Sequence, residues 1–325
     1  MLPRPVFIIG SPRSATSVMT WALGQHPNIQ PMPETAWIAS MAVGAVLAFN
    51  KGSEREKYSH LSNVQYPAER FLHHMGAAIH EIVCEVYEER CRQVYGEDYR
   101  VKGISLNPAN PNFGYQVRRR VEDPKTRWVD GTPLNSLCLW GLNQLFPKAK
   151  FVHNLRAPEE VALSLVHFDN VGGAPQEIEE GLATWRRHAE PAWLAEKAWG
   201  PEKVFRLEYS RLGDEREVLL QELMAFLGED YSSECLLPLD KRTNSSEVTA
   251  HRETGLATIR SAPAFEAVST LYQQMQSDQT LDASAGDELE RLFNLHVRDI
   301  DLLNLPKPSS TEMQRGESFL RRLLS

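Results

Sequence analysis

An α/β fold with a parallel sheet flanked by helices in three layers is the class that this 325-residue sequence predicts. Three observations lead there. The stretch "FIIGSPRSATSVMTWAL" (7–23) reads as an apolar strand, a tight turn of small residues and an apolar-periodic helix. Further short apolar runs then alternate with helical patterns, as parallel strands covered on both faces do. Residues 36–126 break that alternation with a long, mostly helical insertion.

In chain order, "PVFII" (5–9) is the first strand and 15–25 the first helix. The apolar stretch "WIASMAVGAVLAF" (37–49) is a buried helix or the wall of a pocket, and 67–95 is a long helix. A Pro/Asn-rich loop, "SLNPANPNFG", closes the insertion. "RWVD" (127–130), "KFVHNL" (150–155) and "KVFRLEY" (203–209) are strands, with helices expected over 134–145, 158–168, 176–197 and 214–227. Residues 1–305 are expected to form one domain, with 36–126 on its substrate side and 306–325 a tail ending in "FLRRLLS". No internal repeat is present.

The formal net charge of −8 argues against a nucleic-acid binder working through a broad basic field, so any anion site is local. The run "RRRVEDPKTR" (118–127) reads as solvated surface. Cys84, Cys91, Cys138 and Cys235 form no CxxC pair and no zinc spacing; they read as free thiols of a reducing compartment. Cys84 and Cys91 share a helical face and are expected in the core. The cluster "HHMGAAIH" (His73, His74, His80) lacks the i,i+4 offset of helix-borne ligands, so no metal is expected. The apolar run at 5–9 is too short for a secretory signal, and 37–49 is too short to span a bilayer. A cytoplasmic protein is the expectation.

A strand, a tight turn and a helix start can hold an anion on main-chain N–H groups. A nucleoside-triphosphate loop reads GxxxxGK[ST], its lysine reaching the outer phosphates. Aligned on Gly10, this chain reads "GSPRSATS": Ala15 stands for the second glycine, Thr16 for the lysine, and Ser17 keeps the hydroxyl. ATP or GTP hydrolysis is therefore disfavoured. What remains is a cradle of N–H groups, the hydroxyls of Ser14, Thr16 and Ser17, and the Arg13 guanidinium. A plain β-turn-α with a capping serine is the alternative reading of the same stretch.

"PRSATS" resembles the 5′-phosphosulfate loop, P-[KR]-S-G-T-[TS], of sulfotransferases that use 3′-phosphoadenosine 5′-phosphosulfate. "FPKAKFVHNLRAPEEVALSLVHF" (146–168) is similar to that family's 3′-phosphate segment, a strand ending in Arg-x-Pro before a helix with a serine. "FRLEYSRLGDEREVLLQELMAFLG" (205–228) resembles its Tyr-Glu-x-Leu…Phe-Leu-Gly segment, with Ser210 in place of the usual glutamate. "RTNSSE" (242–247) stands where these enzymes close a loop over the nucleotide. The resemblance implies a P-loop-like fold and a sulfuryl donor held by Arg13, Ser14, Ala15, Thr16 and Ser17 at its 5′ end. It further implies Arg156 and Ser164 at the 3′-phosphate, Tyr209 beside the adenine, and Ser245 or Ser246 on the closing loop. No metal is implied, and 3′-phosphoadenosine 5′-phosphate is the second product.

For the proton, the resemblance is to the tyrosylprotein sulfotransferase-like branch, where a glutamate follows a His-Pro turn and precedes a threonine. His26-Pro27 and Glu34-Thr35 match at the same distance from Arg13, which implies Glu34 as general base and Arg13 as the residue stabilising the leaving group. The apolar neighbours Met32, Trp37 and Ile38 would raise the Glu34 pKa. A glutamate at a helix N-terminus is the alternative reading. The small-molecule branch's histidine, in a Lys-Thr-His context, has no counterpart here.

Two departures stand out. Ala15 replaces a glycine, which is mild where the turn keeps φ negative. Gly131, in "WVDGTPLN" (128–135), replaces a lysine that helps hold the bridging oxygen in relatives. Either Arg13 acts alone or another cation, such as Lys102, reaches in. Asp130 and Thr132 either contact the acceptor or support the loop. The expected activity is sulfuryl transfer to the hydroxyl of a small acceptor with an apolar or aromatic body, suited to an insertion carrying Trp37, Met41, Phe49, Phe71, Met75 and Tyr87. A small-molecule P-loop kinase and a catalytically impaired nucleotide-binding module are the alternatives. A homodimer is compatible with the sequence.

Overall fold

The computed structural model describes residues 2–55, 58–97, 125, 127–240 and 252–299. Ser245 and Ser246, Lys102, the loop 105–114, nearly all of 118–126 and the tail 306–325 lie outside the described residues.

Five parallel strands form one sheet in the order β2-β3-β1-β4-β5: β1 (Val6–Ile9), β2 (Ile29–Pro31), β3 (Arg127–Asp130), β4 (Lys150–Leu155) and β5 (Val204–Glu208). Ile9 stands opposite His153, and Phe7 opposite Asp130 and Phe151. Alternate side chains of a strand point to opposite faces, and β1 divides accordingly. Phe7 and Ile9 join Trp128 and Phe151 in one core, while Val6 and Ile8 join Val129 and Val152 in the other. A strand buried on both sides has to read as an unbroken apolar run, as "VFII" does.

On the first face lie α2 (Ala36–Ser53), α3 (Ala68–Tyr95), α4 (Leu139–Leu145), α6 (Ile178–Trp199) and α10 (Ser284–Asp299). Its aromatic centre has Phe7 edge-on to Trp128 at 5.4 Å and stacked on Phe151 at 5.6 Å. α1 (Thr16–Gly24) and α7 (Arg216–Leu227) cover the second face with Met19, Leu23, Leu219, Leu220 and Leu223. α5 (Pro158–Val166), α8 (Arg252–Arg260) and α9 (Phe265–Ser277) gather with α6 around Trp185 and Leu155 beyond the end of β4.

The three longer strands expected beside β1 lie within a residue of their sequence-predicted limits. β2 was not expected: the three residues "IQP" that follow the His-Pro turn carry no period. Residues 134–145 divide into a 3₁₀ turn, Pro133–Leu137, and α4. The helical stretch of 36–97 is no outside appendage. Ile38, Ala39, Ala42 and Val46 of α2 are buried in the same core as Phe7 and Phe151.

This topology sets the position of the site. The chain leaves β1 toward β2 on one side and leaves β4 toward β5 on the other. A crevice therefore opens between the C-terminal ends of β1 and β4, the place where open α/β sheets bind ligands.

Candidate active site

The loop after β1 is held from beneath. Gly10 has φ 117°, and a Cβ there would stand 2.5 Å from the Asn154 carbonyl oxygen of β4, so only glycine fits. The Ser136 hydroxyl accepts from the Gly10 N–H at 2.9 Å and donates to its carbonyl at 3.0 Å. Asn154 Nδ2 donates to the Ser14 carbonyl at 3.0 Å.

Above that base the backbone takes left-handed conformations at Arg13 (φ 67°) and Ala15 (φ 68°). The condition under which alanine would be a mild replacement for glycine at 15, a negative φ, is therefore not met. Left-handed residues turn successive N–H groups to one side, forming a concave nest for an anion, and the loop adopts that shape at the cost of an unfavourable alanine conformation. Ala15 is also the N-cap of α1 and offers no side-chain cap. The first-turn N–H groups of α1 are thus left for a ligand. The hydroxyls of Ser11 and Ser14 are buried without a protein partner. Buried polar groups ordinarily find partners, so these fit a cradle built for phosphate or sulfate oxygens.

Two guanidiniums meet at this crevice. Arg13 Nε donates to Ser164 Oγ of α5 at 3.0 Å, and its guanidinium lies 4.8 Å from the Phe168 ring centroid. Arg156, following β4, donates from Nη1 to the Arg13 carbonyl at 2.7 Å. Its Nε and Nη2 donate to Glu160 Oε2 at 3.3 and 3.1 Å. The guanidinium stacks 4.1 Å from the ring centroid of Tyr209, the first residue after β5. Trp185 Nε1 anchors the Arg156 carbonyl at 2.8 Å, and Arg252 of α8 pairs with the other oxygen of Glu160. Burial and the neighbouring Arg156 both lower the Arg13 pKa, with Glu34 and Tyr209 acting in the opposite sense. Two partly buried cations side by side are a standing electrostatic cost that an anion relieves.

Arg13, Arg156, Ser164 and Tyr209, from three separate sequence segments, are therefore brought together. Ser164 bonds to Arg13 rather than sitting on Arg156 alone, and so links the two turns. Thr16 is buried and Ser17 half-buried in the first turn of α1.

Glu34 stands on the loop between β2 and α2, just before Thr35, the N-cap of α2. It is open to solvent, yet partial desolvation raises its pKa; Asp130 raises it further and Arg13 opposes. Of the expected apolar neighbours, Met32 and Ile38 are buried while Trp37 is 37% exposed beside the loop. Asp130 and Thr132 support that loop: Thr35 Oγ1 donates to Asp130 Oδ2 at 2.9 Å, and the Thr35 N–H donates to Thr132 Oγ1 at 2.6 Å. Sequence reasoning left their role open, because β3 and the Glu34 loop lie 95 residues apart.

Gly131 has a steric explanation. A Cβ there would run into Thr20 Oγ1 and stand 3.1 Å from the Thr16 carbonyl oxygen, both on α1. A lysine at 131 would require the Thr20 side chain to turn away and the Thr16 carbonyl to give slightly. The clamp of Ser136 on Gly10, the Phe168 ring and Glu160 are site features that sequence reasoning missed; nothing in their local sequence distinguishes them from packing residues.

Of the histidine cluster, His80 Nδ1 accepts from Trp128 Nε1 at 3.1 Å, and burial lowers its pKa. Cys91 is buried and Cys84 half-buried. Among the described residues no group of three His, Cys, Asp or Glu is arranged to hold a metal ion. Among them, too, no helix is long and apolar enough to cross a membrane.

Several solved sulfotransferases are similar in structure to this chain. The sulfotransferase domain from the Synechococcus PCC 7002 olefin synthase is 17% identical, with 90% of this chain and 94% of that one covered and a TM-score of 0.41. Sulfotransferase STF9 from Mycobacterium avium is 13% identical, with 86% and 78% covered and a TM-score of 0.43. A sulfotransferase from Alicyclobacillus acidocaldarius is 16% identical, with 88% and 100% covered and a TM-score of 0.40. Likeness at that level carries no weight for the activity. No curated protein matches the chain in sequence. The sequence profile of the Sulfotransferase family matches residues 5–233, which include β1 to β5 and Arg13, Glu34, Arg156, Ser164 and Tyr209. By that match, over more than half its length, the chain belongs to the Sulfotransferase family.

Proposed function

We propose that this protein transfers the sulfuryl group of 3′-phosphoadenosine 5′-phosphosulfate to the hydroxyl of a small, partly apolar acceptor. The observation that carries the reading is the junction of Arg13 and Arg156 at the C-terminal ends of β1 and β4, with Tyr209 stacked on the second guanidinium. That junction supports binding of an adenylate bearing anionic groups at two ends: one in the Ser11–Ser17 loop, the other near Arg156 and Ser164.

The donor supplies an activated sulfuryl group on a phosphate leaving group. The protein's part is positioning and charge stabilisation, as in phosphoryl transfer. Arg13, Thr16 and the N–H groups of the loop and of α1 would stabilise negative charge gathering on the leaving phosphate. Tyr209 and Arg156 would fix the nucleotide's orientation. Glu34, on the loop between β2 and α2 and within the field of Arg13, would accept the acceptor's hydroxyl proton, and its raised pKa makes it a stronger base than an ordinary glutamate. Trp37, exposed one turn beyond Glu34, supports an acceptor with an apolar body. Cys84, Cys91, Cys138 and Cys235, which form no disulfide among the described residues, suit a cytoplasmic setting.

Incubating the purified chain with the sulfate donor and a panel of alcohols and phenols, followed by mass spectrometry, tests this reading. The expected result is acceptors heavier by one SO3 group, with 3′-phosphoadenosine 5′-phosphate released in equal amount. Magnesium-dependent ATP turnover without sulfated product would instead indicate a kinase. Tight nucleotide binding without any product would indicate an impaired binding module.

A further inference from the structure

We propose that Asp130 is a positioning residue for Glu34: together with Thr132 and Thr35 it closes a ring of hydrogen bonds that fixes the main chain carrying the Glu34 carboxylate. The inference rests on Glu34 being the base of the reaction proposed above.

Asp130 ends β3, at the edge of the crevice, and its side chain is fully buried. Its Oδ1 accepts from the Thr132 N–H at 2.9 Å and from Thr132 Oγ1 at 2.5 Å. Its Oδ2 accepts from Thr35 Oγ1 at 2.9 Å. With its proton committed to Asp130, the Thr132 hydroxyl is left as an acceptor, and it takes the Thr35 N–H at 2.6 Å. That N–H belongs to the peptide joining Glu34 to Thr35. The ring therefore fixes the peptide plane next to Glu34 as well as the Thr35 side chain.

Thr35 forgoes an alternative bond to do this. As the N-cap of α2 it would ordinarily turn its hydroxyl onto the first-turn N–H groups, yet it makes no side-chain cap. The hydroxyl goes to Asp130 instead, tying the start of α2 to the sheet rather than to its own helix. Asp130 for its part is a buried carboxylate whose partners are two hydroxyls and one peptide N–H. Burying a carboxylate among neutral donors is costly, and a neutral side chain would fill the same space at a lower penalty.

The charge acts on Glu34. Among the described residues, the charged groups that act on Glu34 are Asp130 from β3 and Arg13 from the loop after β1; the first raises its pKa and the second lowers it. Burial raises the pKa of Asp130 itself, and its three donors oppose that rise by favouring the carboxylate; in that form Asp130 fixes the base in place and keeps it avid for a proton.

The test compares Glu34→Gln, Asp130→Asn, Thr35→Val and Thr35→Ser in the full chain. Each variant is checked for cooperative melting and, by calorimetry, for binding of 3′-phosphoadenosine 5′-phosphate. Glu34→Gln is expected to bind nucleotide and lose turnover. Thr35→Val, which removes only the hydroxyl link, is expected to lower kcat on the order of tenfold at unchanged donor KM, with Thr35→Ser restoring most of it. Asp130→Asn is expected to lower kcat and to move the acid limb of kcat/KM to lower pH, since a like charge has gone. Should Asp130→Asn fail to fold, the pair at Thr35 decides. Wild-type kcat in folded Asp130→Asn and Thr35→Val, with the acid limb unmoved and Glu34→Gln inactive, would overturn the positioning role and leave Glu34 as base. Normal turnover in Glu34→Gln would instead overturn the base assignment and this inference with it.

Discussion

Arg156 Nη1 donates to the main-chain carbonyl of Arg13 at 2.7 Å, joining the end of β4 to the loop after β1 across 143 residues. One guanidinium thus shapes the anion cradle and, through its face, positions Tyr209.

Arg156→Lys keeps the charge but loses the planar fork that serves Glu160, the Arg13 carbonyl and the Tyr209 ring together. Affinity for 3′-phosphoadenosine 5′-phosphate should fall on the order of tenfold to a hundredfold by titration calorimetry. A change under about twofold would remove Arg156 from the nucleotide site.

Ala15 holds φ at 68°, a region where an alanine is strained and a glycine is not. Ala15→Gly should therefore stabilise the fold by about 1 kcal/mol, after the entropy that glycine loses on folding. Thermal melting should rise by about 2 °C, and a fall would show that the loop is relaxed with alanine.

Gly131→Ala drives a methyl into Thr20 Oγ1 and should cost about 1–3 kcal/mol in urea unfolding. Thr20→Ala in the same chain removes the obstructing oxygen and should recover part of that loss. Strict additivity of the two changes would mean that the crowding at α1 does not limit residue 131.

The rate should depend on pH with a definite sign. Glu34 can accept a proton only when ionised, and its pKa is raised above 4.5 by partial burial and then by Asp130. Activity should therefore fall as pH falls, with the acid limb of kcat/KM above the range of an ordinary glutamate. A profile flat down through that range would exclude Glu34 from the rate-determining proton transfer.

The sequence by itself determined the local pieces. "VFII" declares a strand buried on both faces, "RSATSVMTWAL" a turn of small residues running into a helix, and "NLRAP" an arginine at a strand end before a helix that begins on proline. These are short-range matters of period, turn chemistry and the φ of proline, settled within a few residues. Only the tertiary structure decided that Ser164 belongs to Arg13, that Ala15 takes a left-handed turn, and that Thr20 leaves no room beside Gly131. It likewise decided that Asp130 and Thr132 spend their hydrogen bonds on Thr35. Such contacts join segments far apart in the chain, and only sheet order and the packing of α1 and α2 bring them within bonding distance.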